Sequence, residues 1–280
     1  MKMSIQSVFF AFVAFTVLVS GCSPAATPAP TVIPPSHTPL PTDTLVPTNT
    51  PEPTFTPEPS PTPVRLPDVL NQTFSGVSVI QHDSFQYVIQ GMIPQGWQTD
   101  QQDAIWITEE NQLKAKPLPS SGGTVFYYSG EIITPNQGVY FTFQYNGSSE
   151  NFTLGFDNVT ALGERIPGPH GPDFRSVAME VTNQNLIVYR NDGGAASKGF
   201  FEGNLRLLEG TWYDIALAFD ENHNFIIKIW QPDNPEKQLT YLRQWEDFPD
   251  RYYFISWISS KRSLLIDDFS VFDFDKIVQQ

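Results

Sequence analysis

The sequence predicts an all-β body, a sandwich of two antiparallel sheets, set behind an export signal and an extended linker. Three observations carry this. From Asn71 onward, short runs rich in Phe, Tyr, Val and Ile are broken by Gly, Asn, Asp and Pro. Period-2 alternation is plain in Val139-Tyr140-Phe141-Thr142-Phe143-Gln144. No long stretch carries helical spacing. The runs at 124–128, 139–145, 152–156, 176–181, 186–189, 212–219, 225–230, 252–258 and 264–274 read as strands. Many strands at this spacing indicate a sandwich or jelly roll. A first strand is expected near Asn71-Gln72-Thr73-Phe74-Ser75-Gly76. Residues 212–219, the turn formers Asp220-Glu221-Asn222-His223-Asn224, and 225–230 read as one hairpin.

Composition divides the chain into three pieces. Of the 25 prolines, 15 fall between Ser23 and Pro67, together with 10 threonines. Beyond Pro67 lie 33 of the 38 aromatic residues. The expected organisation is therefore a signal segment at 1–21, a Pro/Thr-rich disordered linker at 22–65, and one compact domain at 66–280. Proline fixes φ and removes donors, so the tract cannot join a sheet or a helix. It is expected to be extended, at about 3.1 Å per residue. The 16 Lys and Arg against 30 Asp and Glu give a net charge of −14. That excludes nucleic acid as a partner, because phosphate neutralisation needs a basic face.

The start is an export signal. Lys2 precedes Val8-Phe9-Phe10-Ala11-Phe12-Val13-Ala14-Phe15-Thr16-Val17-Leu18-Val19, an uncharged run too short to span a bilayer. Val19-Ser20-Gly21-Cys22 follows at once, and Cys22 is the only cysteine. This run resembles the lipobox of bacterial lipoproteins. The resemblance implies diacylation of Cys22, which becomes the mature N-terminus. Two or three acyl chains give stable anchoring. The expected location is outside the cell, with the body lipid-anchored to the cell membrane or outer membrane and held away from it by the tract.

Catalytic and metal chemistry is sparse. The body holds three histidines, His82, His170 and His223, with no close pair for zinc and no cysteine. His170 and Asp173 sit in a Gly/Pro loop read as a turn. Asp220, Asn222 and Asn224 alternate as in the first half of an EF-hand loop, but the glycine and distal glutamate are missing. Neither a calcium site nor any cofactor is expected. Asp267 and Asp268 read as bonding backbone or an ion. Asn71, Asn146, Asn151 and Asn158 head Asn-x-Ser/Thr sequons without an assigned role.

The order of three motifs resembles the concanavalin A-like jelly rolls of the laminin-G or non-catalytic glucanase-like type. These are the strand near Asn71, the Gly210-Thr211-Trp212-Tyr213 run leading into the hairpin, and the closing Leu265-Ile266-Asp267-Asp268-Phe269-Ser270-Val271-Phe272. The resemblance implies that first and last strands pair. Catalytic laminarinase-type relatives carry Glu-x-Asp-x-x-Glu or Glu-x-Asp-x-Glu on one strand; this chain has neither run. The alternation puts Phe141, Phe143, Phe152, Leu154, Phe156, Val177 and Met179 in the core. The opposite parity offers Tyr140, Gln144, Glu180, Tyr189 and Trp257 as a carbohydrate-binding platform of aromatic rings and planar polar groups. The expected function is a surface-anchored, non-catalytic carbohydrate-binding module for a polysaccharide or surface glycan. The alternatives are an adhesion module for protein partners, or a divergent glycoside hydrolase with Glu180 as the first suspect.

Overall fold

The structure, a computed structural model, describes residues 66–147, 151–158, 175–182, 186–192, 196–245 and 250–278. The signal segment, Cys22 and almost all of the Pro/Thr tract lie outside them, as do His170 and Asp173. A helix, α1 (Asp68–Thr73), leads into β1 (Phe74–Ser75) and β2 (Ser78–Asp83). Then come β3 (Trp97–Thr99), β4 (Ile105–Ile107), β5 (Leu113–Ala115), β6 (Gly123–Ile133), β7 (Gln137–Asn146) and β8 (Phe152–Asn158). The middle of the chain forms β9 (Arg175–Val181), β10 (Leu186–Asp192), β11 (Ala196–Phe200), β12 (Glu202–Gly203), β13 (Tyr213–Phe219) and β14 (Asn224–Gln231). The last strands are β15 (Asn234–Gln244), β16 (Tyr252–Ser259), β17 (Ser263–Asp273) and β18 (Lys276–Ile277).

Two antiparallel sheets take up these strands. The seven-stranded sheet runs β11-β10-β9-β8-β16-β6-β3. The nine-stranded sheet runs β12-β15-β14-β13-β7-β17-β5-β4, with β2 also on β17. A separate two-stranded pair joins β1 to β18, Phe74 opposite Ile277, whereas the closing run 265–272 lies in β17 and pairs with β2, β5 and β7. The predicted hairpin is β13–β14, with Phe219 opposite Phe225. Its turn is held by the Asp220 carboxylate, which accepts the backbone N–H of Asn222 (2.9 Å) and Asn224 (2.8 Å) and the Asn224 side-chain amide (2.7 Å). His223 takes the left-handed φ of 57° there. The alternating Asp and Asn residues therefore build an Asx turn.

The parity assigned from sequence holds across the core. Phe141, Phe143, Phe152, Leu154, Phe156, Val177 and Met179 are fully buried between the sheets. Tilted and edge contacts such as Phe141–Phe254 (5.1 Å) and Trp97–Phe269 (4.9 Å) join the two layers.

The beginning of the body differs from the expectation of a strand near Asn71. Residues 68–73 are helical and only Phe74–Ser75 extends. Pro67 stands before the first helical residue, its fixed φ suited to a helix start, and Asp68 lies in the first turn, favourable to the helix dipole. Val69, Leu70 and Thr73 form the buried stripe. This short helix helps cover the outer face of the nine-stranded sheet. Leu66, Val69, Leu70 and Phe74 pack there with Tyr140, Ala216, Ile226, Trp230, Phe272 and Phe274 as a second apolar cluster.

Candidate functional site

The five platform residues fall on two different sheets. β7 belongs to the nine-stranded sheet, so Tyr140 and Gln144 point out from its outer face. β9, β10 and β16 belong to the seven-stranded sheet, so Glu180, Tyr189 and Trp257 point away from the opposite side of the molecule. The alternation was read correctly, but parity along a strand does not say which sheet the strand joins. The single platform of five is corrected accordingly.

Tyr140 is buried in the second apolar cluster, with Leu66, Val69, Leu70, Phe74, Phe272 and Phe274. Its ring stacks on Trp230 at 6.0 Å, and its hydroxyl donates to the Asp214 carboxylate at 2.9 Å. Burial, and next the negative charge of Asp214, push the Tyr140 phenol up. Gln144 donates to the carbonyl of Gly210 at 2.8 Å, tying β7 to the loop before β13. Both act as structural contacts. Across Thr142 the same sheet carries Asp214 on one side and Asp267 on the other. Burial raises both carboxyls to about 6, and Tyr140 and Trp230 partly offset this for Asp214. Asp267 accepts the backbone N–H of Asp268 at 2.9 Å, beside the register shift where Asp268 takes a φ of 50°.

The outer face of the seven-stranded sheet is organised in rows set by register. One row reads Ile187–Glu180–Thr153–Trp257–Val125 from β10 to β6. The next reads Tyr189–Ala178–Gly155–Ile255–Tyr127–Gln98, reaching β3. A third begins Ser176–Asp157–Tyr253. The middle columns on β8 and β9 carry Thr153, Gly155, Ser176 and Ala178 together with the two carboxylates Asp157 and Glu180, all buried. Half-buried aromatics flank them: Tyr189 on one side, Trp257 and Tyr253 on the other. Three inter-strand spacings and two residues of offset separate Tyr189 from Trp257, about 16 Å. The Trp257 ring lies against Gly123 on β6, where a Cβ would come within 2.9 Å of the indole.

Glu180 is oriented from two directions. The Asn151 side-chain amide donates to it, and so does the Tyr189 hydroxyl. Burial and the neighbouring Glu180 charge raise the Tyr189 phenol. Asp157 is 2% exposed, and burial raises it to about 7, although it accepts the backbone N–H of Asn158 at 2.7 Å. Asn151, Asp157, Tyr253 and Tyr127 were not singled out in the sequence as site residues. The signal for Tyr253 was available, since it shares parity with Trp257 on β16. That for Asn151 was hidden by its sequon.

Glu180 and Asp157 do not form a glycosidase pair. Glu180 pairs with Thr153, four residues before Asp157, so their backbones stand about 14 Å apart. Glycoside hydrolysis uses carboxyls about 5 to 9.5 Å apart. Among the described residues no group of three or more His, Cys, Asp and Glu could hold a metal ion. His82 bonds Ser270 at 2.9 Å and His223 bonds Asp250 at 3.2 Å.

No family model matches the chain, and no curated protein matches it in sequence. Solved structures do match in fold. The exoplasmic/lumenal domain of VIP36, in a form bound to Ca2+ and Man3GlcNAc, superposes with a TM-score of 0.51 at 11% identity. That match covers 71% of this chain and 93% of the VIP36 domain. The catalytic domain of an endo-1,3-beta-glucanase (laminarinase) from Thermotoga petrophila RKU-1 gives 0.50 at 10% identity, covering 72% of this chain and all 100% of that one. A protein of unknown function with a galectin-like fold from Bacillus subtilis gives 0.51 at 9% identity, covering 71% and 98%. The fold is thus the jelly roll shared by concanavalin A-like and galectin-like lectins and glucanases. That likeness establishes architecture, and function rests on the site itself.

Proposed function

We propose that the chain is a surface lipoprotein whose jelly-roll body binds a polysaccharide or surface glycan on the outer face of the seven-stranded sheet, without catalysing its cleavage. One observation carries the reading: half-buried Tyr189, Tyr253 and Trp257 flank a close-packed floor beside Glu180, 6% exposed and held in place by Asn151 and Tyr189. Aromatic faces pack on the C–H faces of sugar rings, and an oriented carboxylate accepts from their hydroxyls. The span of about 16 Å suits an oligosaccharide segment. Acylated Cys22 would anchor the chain, and the Pro/Thr tract would space the body from the membrane.

The test is affinity electrophoresis of residues 66–280 through gels containing glucans, galactans and wall polymers. Retardation is expected with at least one polymer, and Trp257→Ala and Tyr189→Ala should abolish it. Migration unchanged by every polymer would sink the reading.

A protein-binding module is the second reading. It is favoured by residues 87–93, where Tyr87 (97% exposed), Ile89 (76%) and Met92 (57%) present apolar side chains to solvent. Replacing these three with serine would weaken a protein partner and leave glycan retardation unchanged.

A further inference from the structure

The glycan reading uses one outer face; the other holds a group it leaves unexplained. In Phe225-Ile226-Ile227-Lys228-Ile229-Trp230 a lysine interrupts an apolar strand. Phe225, Ile227 and Ile229 face the core, so Lys228 points outward, between Ala216 of β13 and Thr240 of β15. Lys228 is only 5% exposed. No hydrogen bond or ion pair joins its ammonium to any other residue of the described set. Burial alone lowers its pKa. Desolvation disfavours the charged form and no charge among the described residues offsets it, so an anion reaching the ammonium would stabilise it.

Lys228 lines a hollow of about 650 Å³ on this face, a size typical of small-molecule sites. Thr240 lies beside it on the floor, and Thr73 of α1 and Val278 form one wall. Ile226, Leu242 and Phe200 supply apolar surface, with Leu242 44% and Phe200 73% exposed. Glu202 and Arg243 also line the hollow: Glu202 stands opposite Thr240 in the same cross-strand row, while the Arg243 guanidinium lies over the Trp245 ring at 4.7 Å.

We infer that this hollow is a binding site for an organic carboxylate, its anionic group on Lys228 and its apolar body against Ile226, Leu242 and Phe200. A lysine is a compact point charge, suited to one carboxylate oxygen. The Thr240 hydroxyl can donate to the other. A single lysine head matches a monoanion, while the net charge of −14 disfavours polyanions. The site lies on the opposite sheet from Tyr189 and Trp257 and does not depend on the glycan reading.

The experiment is isothermal titration calorimetry of the full chain with hexanoate, phenylacetate, glucuronate and neutral hexanol. Hexanoate and phenylacetate are expected to bind at least tenfold more tightly than hexanol and than glucuronate. Lys228→Met and Lys228→Gln should each abolish that preference, while Trp257→Ala leaves it intact. Both Lys228 variants should also melt at higher temperature without ligand, because the unpaired ammonium is gone; this readout shows that they fold. Equal affinity for hexanoate and hexanol, an unchanged preference in the Lys228 variants, or binding only of glucuronate would each overturn the assignment.

Discussion

On the outer face of the nine-stranded sheet, the rings of Tyr140 and Trp230 pack with α1, Phe74 and Phe274, the first and last described segments of the body. On the outer face of the seven-stranded sheet, the apolar cluster of Val125, Tyr127, Ile255 and Trp257 comes from the sheet's own strands, with Tyr253 on the same strand as Trp257 and Tyr189 three strands away. Both faces present aromatic residues at the same outward parity. What separates them is which segments of chain return to pack on each. On the first face Tyr140 and Trp230 are buried; on the second Tyr189, Tyr253 and Trp257 are half-buried.

The largest expected effect tests the covered face. Phe74 is fully buried, with ring contacts to Phe274 at 4.7 Å and Phe272 at 5.3 Å. Phe74→Ala should cost about 3–5 kcal/mol in urea unfolding, the range for a large aromatic removed from a packed core. Glycan retardation should persist in the folded fraction. A cost below about 1 kcal/mol would show that the chain ends do not form a true second core.

The next effect is pH dependence, and the two faces differ in its window. A carboxyl raised in the folded state binds its proton more tightly there, so it contributes stability that is complete below its unfolded value of 3.8 and lost as pH rises through the folded value. For Asp157 that loss extends to about pH 7, and for Asp214 and Asp267 to about pH 6. The Asp157 contribution amounts to about 4 kcal/mol at full ionisation, at about 1.4 kcal/mol for each pH unit. Asp157→Asn should therefore stabilise the body at pH 8 and have no effect near pH 3, since asparagine can still accept the Asn158 N–H. Equal effects at both pH values in chemical denaturation would refute the shift.

Trp257→Ala distinguishes the faces by function. Half-buried against Gly123, the ring should cost less in stability than Phe74, yet its loss should weaken glycan binding at least tenfold, about 1.4 kcal/mol. Retained binding alongside a large loss of stability would make Trp257 a structural residue like Tyr140.

Much of this division was legible in the sequence. Alternation in 139–145 and 152–156 identified the core residues, and turn formers located the β13–β14 hairpin. Three parts were not legible. Strand β15 opens with the exposed Asn234-Pro235-Glu236-Lys237, and only Leu239 and Tyr241 alternate into the core, too short a signal to mark an 11-residue strand that pairs with β14 and β12. Strands β3, β4 and β5 have three residues each, too few to show a period. The platform could not be assembled because β7 and β9 carry the same outward parity, and only long-range pairing assigns one to each sheet. Lys228 was visible within an apolar run, but the hollow it lines is built with Thr73, Ile277 and Val278 from distant points in the chain.

The smallest expected effect is also the sharpest control. Tyr140→Phe keeps the ring stacked on Trp230 and removes only the hydroxyl that donates to Asp214. Asp214 then keeps the Trp230 side chain as a donor but loses a bond that lowers its pKa. The carboxyl should become harder to ionise, and stability at pH 8 should fall by about 1 kcal/mol, the typical worth of one buried hydrogen bond. Near pH 4 Asp214 is largely protonated in the folded protein, so the loss should shrink. Glycan retardation should be identical to the parent at both pH values, since Tyr140 lies on the covered face. A Tyr140→Phe variant that lost glycan binding while keeping its stability would erase the distinction between the two faces.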